Sequence, residues 1–269
     1  MTPNKMMVLV RGGGDIATGV AWRLHQCGFK VLITEIEKPI AVRRKVSFCE
    51  AVYDQVTLVE GVKASLIQGP EDAPKVWSEG DIPILVDPRC ESKATIKPDV
   101  IVDAILAKKN LGTRKGDAPL VIALGPGFEV GKNADYVVET NRGHNLGRLL
   151  TEGAAEPNTG VPGAIQGYAA ERVLRAPDEG IWESNMNIGD LVNSGVRVGT
   201  VSGAPVKASI CGVIRGLIRP GIEVPKGLKI GDIDPRGIPE NCSTISEKAL
   251  AIGGGVLEGI LRYCKTLNL

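Results

Sequence analysis

The sequence has few of the residues that several common classes of site require. Only two of its 269 residues are histidines, and its six cysteines lie far apart with no C-x-x-C pair. We therefore predict no metal site, and we expect reduced thiols rather than disulfides. Aromatic residues make up 4% of the chain, which is too few to predict the stacking platforms that bind single-stranded nucleic acid.

An excess of charge of one sign and long apolar runs are also missing. The 32 Lys and Arg residues balance 31 Asp and Glu, so no bulk field draws the protein to nucleic acid or to an anionic membrane. The first apolar stretch, residues 7–10, has only four residues, and no stretch approaches the length of about eighteen apolar residues that a membrane span needs. We expect a cytoplasmic protein without a nucleic-acid or membrane partner.

The first 35 residues predict a strand, a glycine turn, a helix and a second strand. Residues 8–10 form an apolar run, residues 16–27 have apolar side chains at helical spacing, and residues 30–34 form a second apolar run. Later apolar runs cover residues 82–86, 100–104, 120–124 and 136–139. Strands alternating with helices favour an α/β fold, and we predict a Rossmann-like parallel sheet domain over residues 1–150.

The second half of the chain has a different pattern. Short Val- and Ile-rich runs alternate with closely spaced Gly and Pro, and residues 188–201 resemble residues 220–233. This weak repeat predicts a small all-β barrel-sandwich domain, similar to biotinyl and lipoyl carrier domains, over residues 151–242. Residues 208–219, between the two copies, contain no lysine, so we expect no attached biotin or lipoate.

The last segment, residues 243–269, is predicted to be a helix that packs back on the first domain. Thr244 and Glu247 have the spacing of a capping box, and apolar residues recur at helical spacing. Gly253, Gly254 and Gly255 lie inside this helix, where each costs up to about 1 kcal/mol relative to alanine. Close approach of another backbone would explain them.

The turn after the first strand matches the fingerprint of dinucleotide-binding sites. Its small residues are Gly12, Gly13, Gly14 and Ala17. They would admit a pyrophosphate to the helix N-terminus, and Glu35, 21 residues after Gly14, would hold a ribose. The same glycines could make only a tight turn, and the carboxylate of Asp15 disfavours a pyrophosphate unless a metal or a proton intervenes.

Other loops at predicted strand ends carry groups that could bind an anion. The candidates in these loops are Arg43, Arg44, Asp87, Gly125, Gly127, Asn141, Arg142, Gly143 and His144. Arg142 could clamp an anion, and His144 could act as an acid or a base. The alternatives are a solvated basic loop at residues 43–45 and a network of turns and caps at residues 139–148. We expect the loops to converge on one small anionic ligand.

Taken together, these segments resemble the bacterial family of selenium-dependent molybdenum hydroxylase system proteins (YqeB-like). The resemblance runs almost end to end and includes VLVRGGGDIATGVAWRL, ALGPGFEVGKNADYVVETNRGHNLGR and GVIRGLIRPGIEVPKGLKIGDIDPR. It implies an accessory or maturation factor for a molybdenum hydroxylase that needs labile selenium. It also implies a Rossmann-like domain related to that of xanthine dehydrogenase maturation (XdhC-like) proteins, with a nucleotide or the molybdopterin cofactor as the ligand.

Two other functions stay open at this point. One is an NAD(P)-dependent oxidoreductase, which the glycine turn and Glu35 permit, although the sequence has no Tyr-x-x-x-Lys signature. The other is a non-catalytic scaffold whose β domain offers a surface for a partner or for formation of a homo-oligomer. The sequence leaves open whether the protein catalyses any reaction.

Overall fold

The structure is a computed structural model that describes residues 5–267 of the chain. These residues divide into two compact units. The first unit contains residues 5–39, 47–158 and 245–267, and the second contains residues 40–46 and 159–244. The chain thus leaves the first unit twice, once for the seven residues 40–46 and once for the long segment 159–244. Within residues 5–267, every helix is too short or too polar to cross a lipid bilayer.

The first unit is built on one sheet of nine strands. In chain order these are β1 (Met7–Arg11), β2 (Lys30–Glu35), β3 (Val56–Val59), β4 (Val62–Ile67), β5 (Ile82–Val86), β6 (Val100–Asp103), β7 (Leu120–Leu124), β8 (Tyr136–Val138) and β9 (Leu149–Leu150). Their order across the sheet is β3-β4-β5-β2-β1-β6-β7-β8-β9. The central strands β1, β6 and β7 are buried along their whole length or nearly so, as expected for strands that are covered on both faces.

The predicted Rossmann-like parallel sheet is wrong. The seven strands β4, β5, β2, β1, β6, β7 and β8, in the order across the sheet, are parallel to one another. The edge strand β3 pairs antiparallel with β4, and the edge strand β9 pairs antiparallel with β8, so the sheet is mixed. The connections from β6 to β7 and from β7 to β8, residues 104–119 and 125–135, contain no helix. A Rossmann domain would have a helix in these crossovers. Apolar runs locate strands but do not show whether the intervening chain is helical.

Five α-helices belong to the described part of the first unit. They are α1 (Asp15–Gln26), α2 (Ala51–Asp54), α3 (Ala73–Ser78), α4 (Lys93–Ile96) and α5 (Glu247–Thr266). Val76 of α3 packs with Leu9, Leu32 and Ile101 of the central strands. Helix α5 lies against β7, β8 and β9 and makes its most extensive contact with α1.

The second unit contains eight strands in two separate sheets. In chain order they are β10 (Val173–Arg175), β11 (Gly180–Glu183), β12 (Leu191–Val192), β13 (Arg197–Val201), β14 (Ala204–Lys207), β15 (Gly212–Leu217), β16 (Glu223–Val224) and β17 (Lys229–Asp234). The antiparallel sheets have the orders β10-β17-β15-β12 and β14-β13-β11-β16. The prediction of a biotinyl- or lipoyl-like barrel-sandwich is wrong, because the two four-stranded sheets share no hydrogen-bonded strand pair and so do not close into a barrel around the core that includes Trp182.

The internal repeat corresponds to a repeated local structure. Each copy begins with a two-residue strand, β12 or β16, and ends with a longer strand, β13 or β17. The turn between them contains a glycine at positive φ, Gly195 at 85° or Gly227 at 80°. The two copies run between the two sheets in opposite directions, from β12 to β13 and from β16 to β17. Sequence similarity thus identified the local unit but not the way in which the units assemble.

Helix α5 begins two residues later than the sequence predicts. Ser246 is its N-cap and accepts a hydrogen bond from the backbone N–H of Ala249 at 3.2 Å. The hydroxyl of Thr244 donates instead to the carbonyl of Glu240, so the capping box predicted for Thr244 is wrong. Thr244 and Ser246 are both residue types that are favoured as N-caps. They lie only two positions apart, so the sequence alone does not show which one begins the helix.

Glycines allow α5 to touch two other backbones. A Cβ on Gly255 would lie 2.2 Å from the carbonyl oxygen of Gly147, and one on Gly253 would lie 3.1 Å from that of Gly19. A Cβ on Gly19 would in turn lie 2.6 Å from the Cβ of Ala249. The prediction of close backbone approach is confirmed for Gly253 and Gly255. Gly254 has nothing within 4 Å of its Cβ position, so this explanation is wrong for the third glycine.

This difference gives a matched pair of substitutions. We expect Gly255→Ala to lower the free energy of unfolding by about 1–3 kcal/mol, because its Cβ forces α5 away from Gly147. Gly254→Ala should raise it by up to about 1 kcal/mol, because alanine favours the helix and meets no neighbour. Urea denaturation of the two variants and the parent chain measures both changes. Equal effects of the two substitutions would contradict the close approach.

Candidate functional site

The glycine turn after β1 is closed on one side by the protein's own chain. The N–H of Gly13 donates to Oε2 of Glu35 at 2.8 Å, and the N–H of Cys49 donates to the carbonyl of Gly13 at 2.9 Å. A Cβ on Gly13 would lie 2.9 Å from the Cys49 nitrogen. Gly14, by contrast, has nothing within 4 Å of its Cβ position and caps α1 without a side-chain hydrogen bond. The start of α1 is therefore open at Gly14 and filled at Gly13.

Glu35 organises this turn from the end of β2. Its second oxygen accepts from the N–H of Ile36 at 2.8 Å, so both carboxylate oxygens are bound by backbone. Burial raises the pKa of Glu35, and the bonds from Ile36 and Gly13 oppose that rise. The dinucleotide fingerprint predicts that the Glu35 carboxylate binds a ribose. In the structure this carboxylate holds the glycine turn in place.

Cys49 beside the turn is a buried, protonated thiol. Burial raises its pKa well above the usual value, and the nearby carboxylates of Glu35, Glu50 and Asp15 raise it further. Because the thiolate is the nucleophile in sulfur or selenium transfer, this environment disfavours such chemistry at Cys49.

A second loop, residues 139–148, is held by the buried carboxylate of Glu139. One oxygen accepts from the N–H groups of Thr140 and Asn141, both at 2.6 Å, and the other accepts from the N–H of Glu156 at 2.7 Å. The hydroxyl of Thr140 occupies the space where a Cβ of Gly125 would lie. The loops that begin at Gly125 and at Glu139 therefore meet, as the sequence predicts for neighbouring strand ends.

Three charged residues lie close together: one at the start of α1, one in the loop 139–148 and one in the first turn of α5. Arg142 forms an ion pair of 2.5 Å with Glu247, in the first turn of α5. The next residue, Lys248, is half-buried, and burial and the charge of Arg142 lower its pKa, while Asp15, Glu139 and Glu247 oppose this shift. Within residues 5–267 the amine of Lys248 takes part in no hydrogen bond and no ion pair. We call Asp15, Arg142 and Lys248 the helix-start cluster.

The other predicted site residues have different surroundings. Both Arg43 and Arg44 belong to the second unit, where Arg43 donates to the carbonyls of Asn241 and Thr244 and Arg44 donates to that of Leu217. The carboxylate of Asp87 accepts from two N–H groups of its own loop, at residues 91 and 92. These groups bind backbone, as structural side chains do.

The rest of the predicted set lies in or beside the two loops. Asn141 donates to Glu156, while Gly143 and His144 are exposed. A Cβ on Gly127 would lie 2.7 Å from Cα of Lys109, one on Gly12 would lie 3.1 Å from Cα of Ile105, and Ala17 is buried in α1. Gly12 and Gly127 thus permit close backbone packing, while His144 has no described hydrogen bond.

Sequence reasoning missed two features of this unit. Lys248 carries no local signal, because a lysine near the start of a helix is ordinary. Arg11 and Asp103 form a buried pair at 3.5 Å, with the hydroxyl of Thr113 bonded to both. This pair did carry a signal, since each residue directly follows an apolar run and the two are partners in the β1–β6 register.

Comparison with known proteins gives one clear relative. The chain is 50% identical over 255 residues to the uncharacterized protein YqeB of Escherichia coli K12, and this match covers 95% of the chain and 47% of YqeB. The chain thus spans about half the length of YqeB. No family model matches the chain. The sequence similarity supports a YqeB-like family.

Solved structures resemble the chain only weakly. TcdA (CsdL) is 9% identical with a TM-score of 0.33, covering 98% of this chain and 89% of that one. An aspartoacylase family protein from Mesorhizobium loti is 12% identical with a TM-score of 0.26, covering 85% and 84%. At these scores the resemblance carries no inference about this chain.

The surroundings of Lys248 predict a pH-dependent cost to stability. Because the folded state lowers its pKa, the charged amine opposes folding fully below that folded pKa, and this cost disappears as pH rises toward the ordinary value of 10.5. We expect Lys248→Met to raise the free energy of unfolding at pH 7 by about 1 kcal/mol or less, with a smaller gain at pH 10. Thermal unfolding across this range measures the change.

The exposed Lys265 on the same helix provides the control for this measurement. Lys265→Met should change the free energy of unfolding at pH 7 by no more than about 0.5 kcal/mol. A loss of stability in Lys248→Met at pH 7 would contradict the interpretation that the charge of Lys248 opposes folding.

Proposed function

We propose that this YqeB-like chain is a cytoplasmic accessory protein in the maturation of a molybdenum hydroxylase that needs labile selenium. In this proposal it binds a small anionic ligand, a nucleotide or the molybdopterin cofactor, at the helix-start cluster. The pathway is supported by the resemblance of the quoted sequence segments to the family of selenium-dependent molybdenum hydroxylase system proteins. The ligand class is supported by the chemistry of the cluster.

The observation that carries the ligand class is the half-buried amine of Lys248, for which the described residues supply no hydrogen bond or ion pair and whose pKa burial and Arg142 lower. A half-buried ammonium without a hydrogen bond is costly, and an anion is the partner that removes this cost. Arg142 adds a guanidinium that can bind a phosphate through two N–H groups. The open start of α1 at Gly14 adds backbone N–H groups and the positive end of the helix dipole.

Three carboxylates near the cluster restrict how the ligand binds. Asp15 and Glu247 repel an anion, while Glu139 is saturated by its three backbone donors. Glu247 pairs with Arg142, so a ligand phosphate would compete with this carboxylate for the guanidinium. Ligand binding is therefore expected to release Arg142 from Glu247. Glu247→Gln should strengthen ligand binding, because it removes the competing carboxylate.

The ligand can be identified from the native protein. Native mass spectrometry of the chain purified from its own host should show a co-purified nucleotide or molybdopterin. Removal of the Arg142 or Lys248 charge, by Arg142→Gln or Lys248→Gln, should weaken retention by about ten- to hundredfold, the usual effect of losing one charged hydrogen bond. Lys265→Gln, with the same change of net charge, should retain the ligand.

The pathway is tested separately in cells. In a host that lacks the endogenous protein, hydroxylase activity and the selenium content of purified hydroxylase should both fall. The parent chain and Lys265→Gln should restore them, whereas the Arg142 and Lys248 variants should not, at equal protein level. Full restoration by the Arg142 and Lys248 variants would overturn the role of the cluster and favour a non-catalytic scaffold. Turnover of NAD(P)H by the purified chain would overturn the accessory function itself.

A further inference from the structure

The exposed side of α5 carries an apolar groove next to α1. The apolar residues that line it are Gly254, Leu257 and Leu261, and its volume is about 570 Å³. These residues recur at intervals of three and four, so they lie on one side of the helix. The side chain of Leu261 is 51% exposed, and its burial would stabilise a complex that covers it. We call these three residues the α5 groove.

Gly254 makes a depression in the middle of this groove. A Cβ at Gly254 would have no atom of the described chain within 4 Å, whereas a Cβ at Gly253 or Gly255 would meet another backbone. Glycine destabilises the interior of a helix relative to alanine, and the packing of α5 within the first unit does not account for this third glycine. The missing side chain leaves space that a side chain from another molecule can enter.

The exposed leucine and the depression lie two helical turns apart on the same helix. Two turns take about seven residues, so Gly254 and Leu261 point in nearly the same direction, about 10 Å apart along the helix axis. A second copy of α5 can lie antiparallel across this side, with a two-fold axis that passes between Leu257 and Glu258. Leu261 of each copy then lies over Gly254 of the other. The groove is therefore complementary to itself, as a two-fold interface requires.

The charges beside the groove fit the same arrangement. Glu258 and Arg262 form an ion pair of 2.7 Å on one flank of the groove. In an antiparallel two-fold pair the same flanks meet, so each Glu258 carboxylate lies between the guanidiniums of both copies. The other cations near the groove are Arg23, which packs beside Gly253, and Lys265. Each lies more than about 10 Å along the axis from its equivalent in the second copy, which exceeds the Debye length at physiological ionic strength.

We propose that the chain forms a symmetric dimer through α5, in which Leu261 of each copy occupies the depression at Gly254 of the other. A second copy fits better than a different partner, because the protruding side chain and the depression that receives it are both in the α5 groove, at the spacing that an antiparallel pair needs. One helix side from each copy makes a small interface, which is typical of weak complexes. This dimer does not depend on the function proposed above.

Sedimentation equilibrium of the full chain over a wide range of concentrations tests this inference. The parent chain should show a reversible equilibrium between monomer and dimer. Leu261→Ala removes the inserted side chain from both contacts, and Gly254→Leu fills both depressions. Each substitution should weaken dimer formation by about tenfold or more, the effect expected from losing the burial of a leucine side chain. Circular dichroism of each variant checks that α5 remains folded.

A double variant tests the antiparallel register itself. Combining Gly254→Leu with Leu261→Ala exchanges the large and the small residue, so a leucine again lies over a small residue in each contact. The double variant should therefore dimerise more tightly than either single variant, although it combines two substitutions that are each unfavourable. Leu191→Ala provides the control, because Leu191 is a 67% exposed leucine in β12 of the second unit. This control should dimerise like the parent chain.

Three results would overturn the inference. The first is a parent chain that stays monomeric at every concentration. The second is a dimer whose affinity is the same in the parent chain, Leu261→Ala and Gly254→Leu, since the two copies would then meet through another surface. The third is a double variant that dimerises no more tightly than the weaker single variant, which would show that Leu261 does not lie over Gly254 of the second copy.

Discussion

The packing of α5 against two glycine-containing backbones is the constraint on which the first unit depends. Gly255 and Gly147 allow α5 to touch the loop 139–148, and Gly19 and Gly253 allow it to touch α1. These contacts bring the start of α5 to the start of α1, although the two are separated by more than 200 residues of sequence. A Cβ at these contact positions would separate Lys248 from Asp15 and Arg142. The helix-start cluster therefore depends on this backbone packing.

Several buried or partly buried charges within residues 5–267 are compensated in one of two ways. Glu35 and Glu139 accept backbone N–H groups and thereby hold loops in place. Arg11 pairs with Asp103, and Arg236 binds Asp234 through two nitrogens. Against this background, the amine of Lys248 differs because within residues 5–267 it has neither a hydrogen bond nor an ion pair.

The sequence predicts the positions of elements better than their arrangement. The apolar runs at 82–86 and 120–124 are β5 and β7, and the helices expected at 16–27 and in the segment 243–269 are α1 and α5. These elements are set by local periodicity, which is readable from one sequence. The helix-free crossovers, the antiparallel edges and the two sheets of the second unit depend on contacts between distant residues, and there the predicted folds were wrong.

The same distinction applies to the candidate residues. The glycine turn has the spacing of a dinucleotide site, but spacing does not show that Cys49, far along the chain, fills the turn at Gly13. Arg43 and Arg44 follow β2 closely in sequence, yet the chain leaves the first unit at residue 40. Arg142 was predicted because several chemically active residues lie near it in the sequence. Lys248 could not be predicted in this way, because only the structure shows that its amine has no hydrogen bond or ion pair.

Lys248 also has a particular place on the path of the chain, because it follows directly after the chain returns to the first unit at residue 245. A bound anion stabilises the state that binds it by an amount that rises with the logarithm of its concentration relative to the dissociation constant. An anion at the helix-start cluster would therefore stabilise the state in which α5, the discontinuous last segment of the first unit, is packed against α1. Ligand supply is in this way coupled to the completeness of that unit.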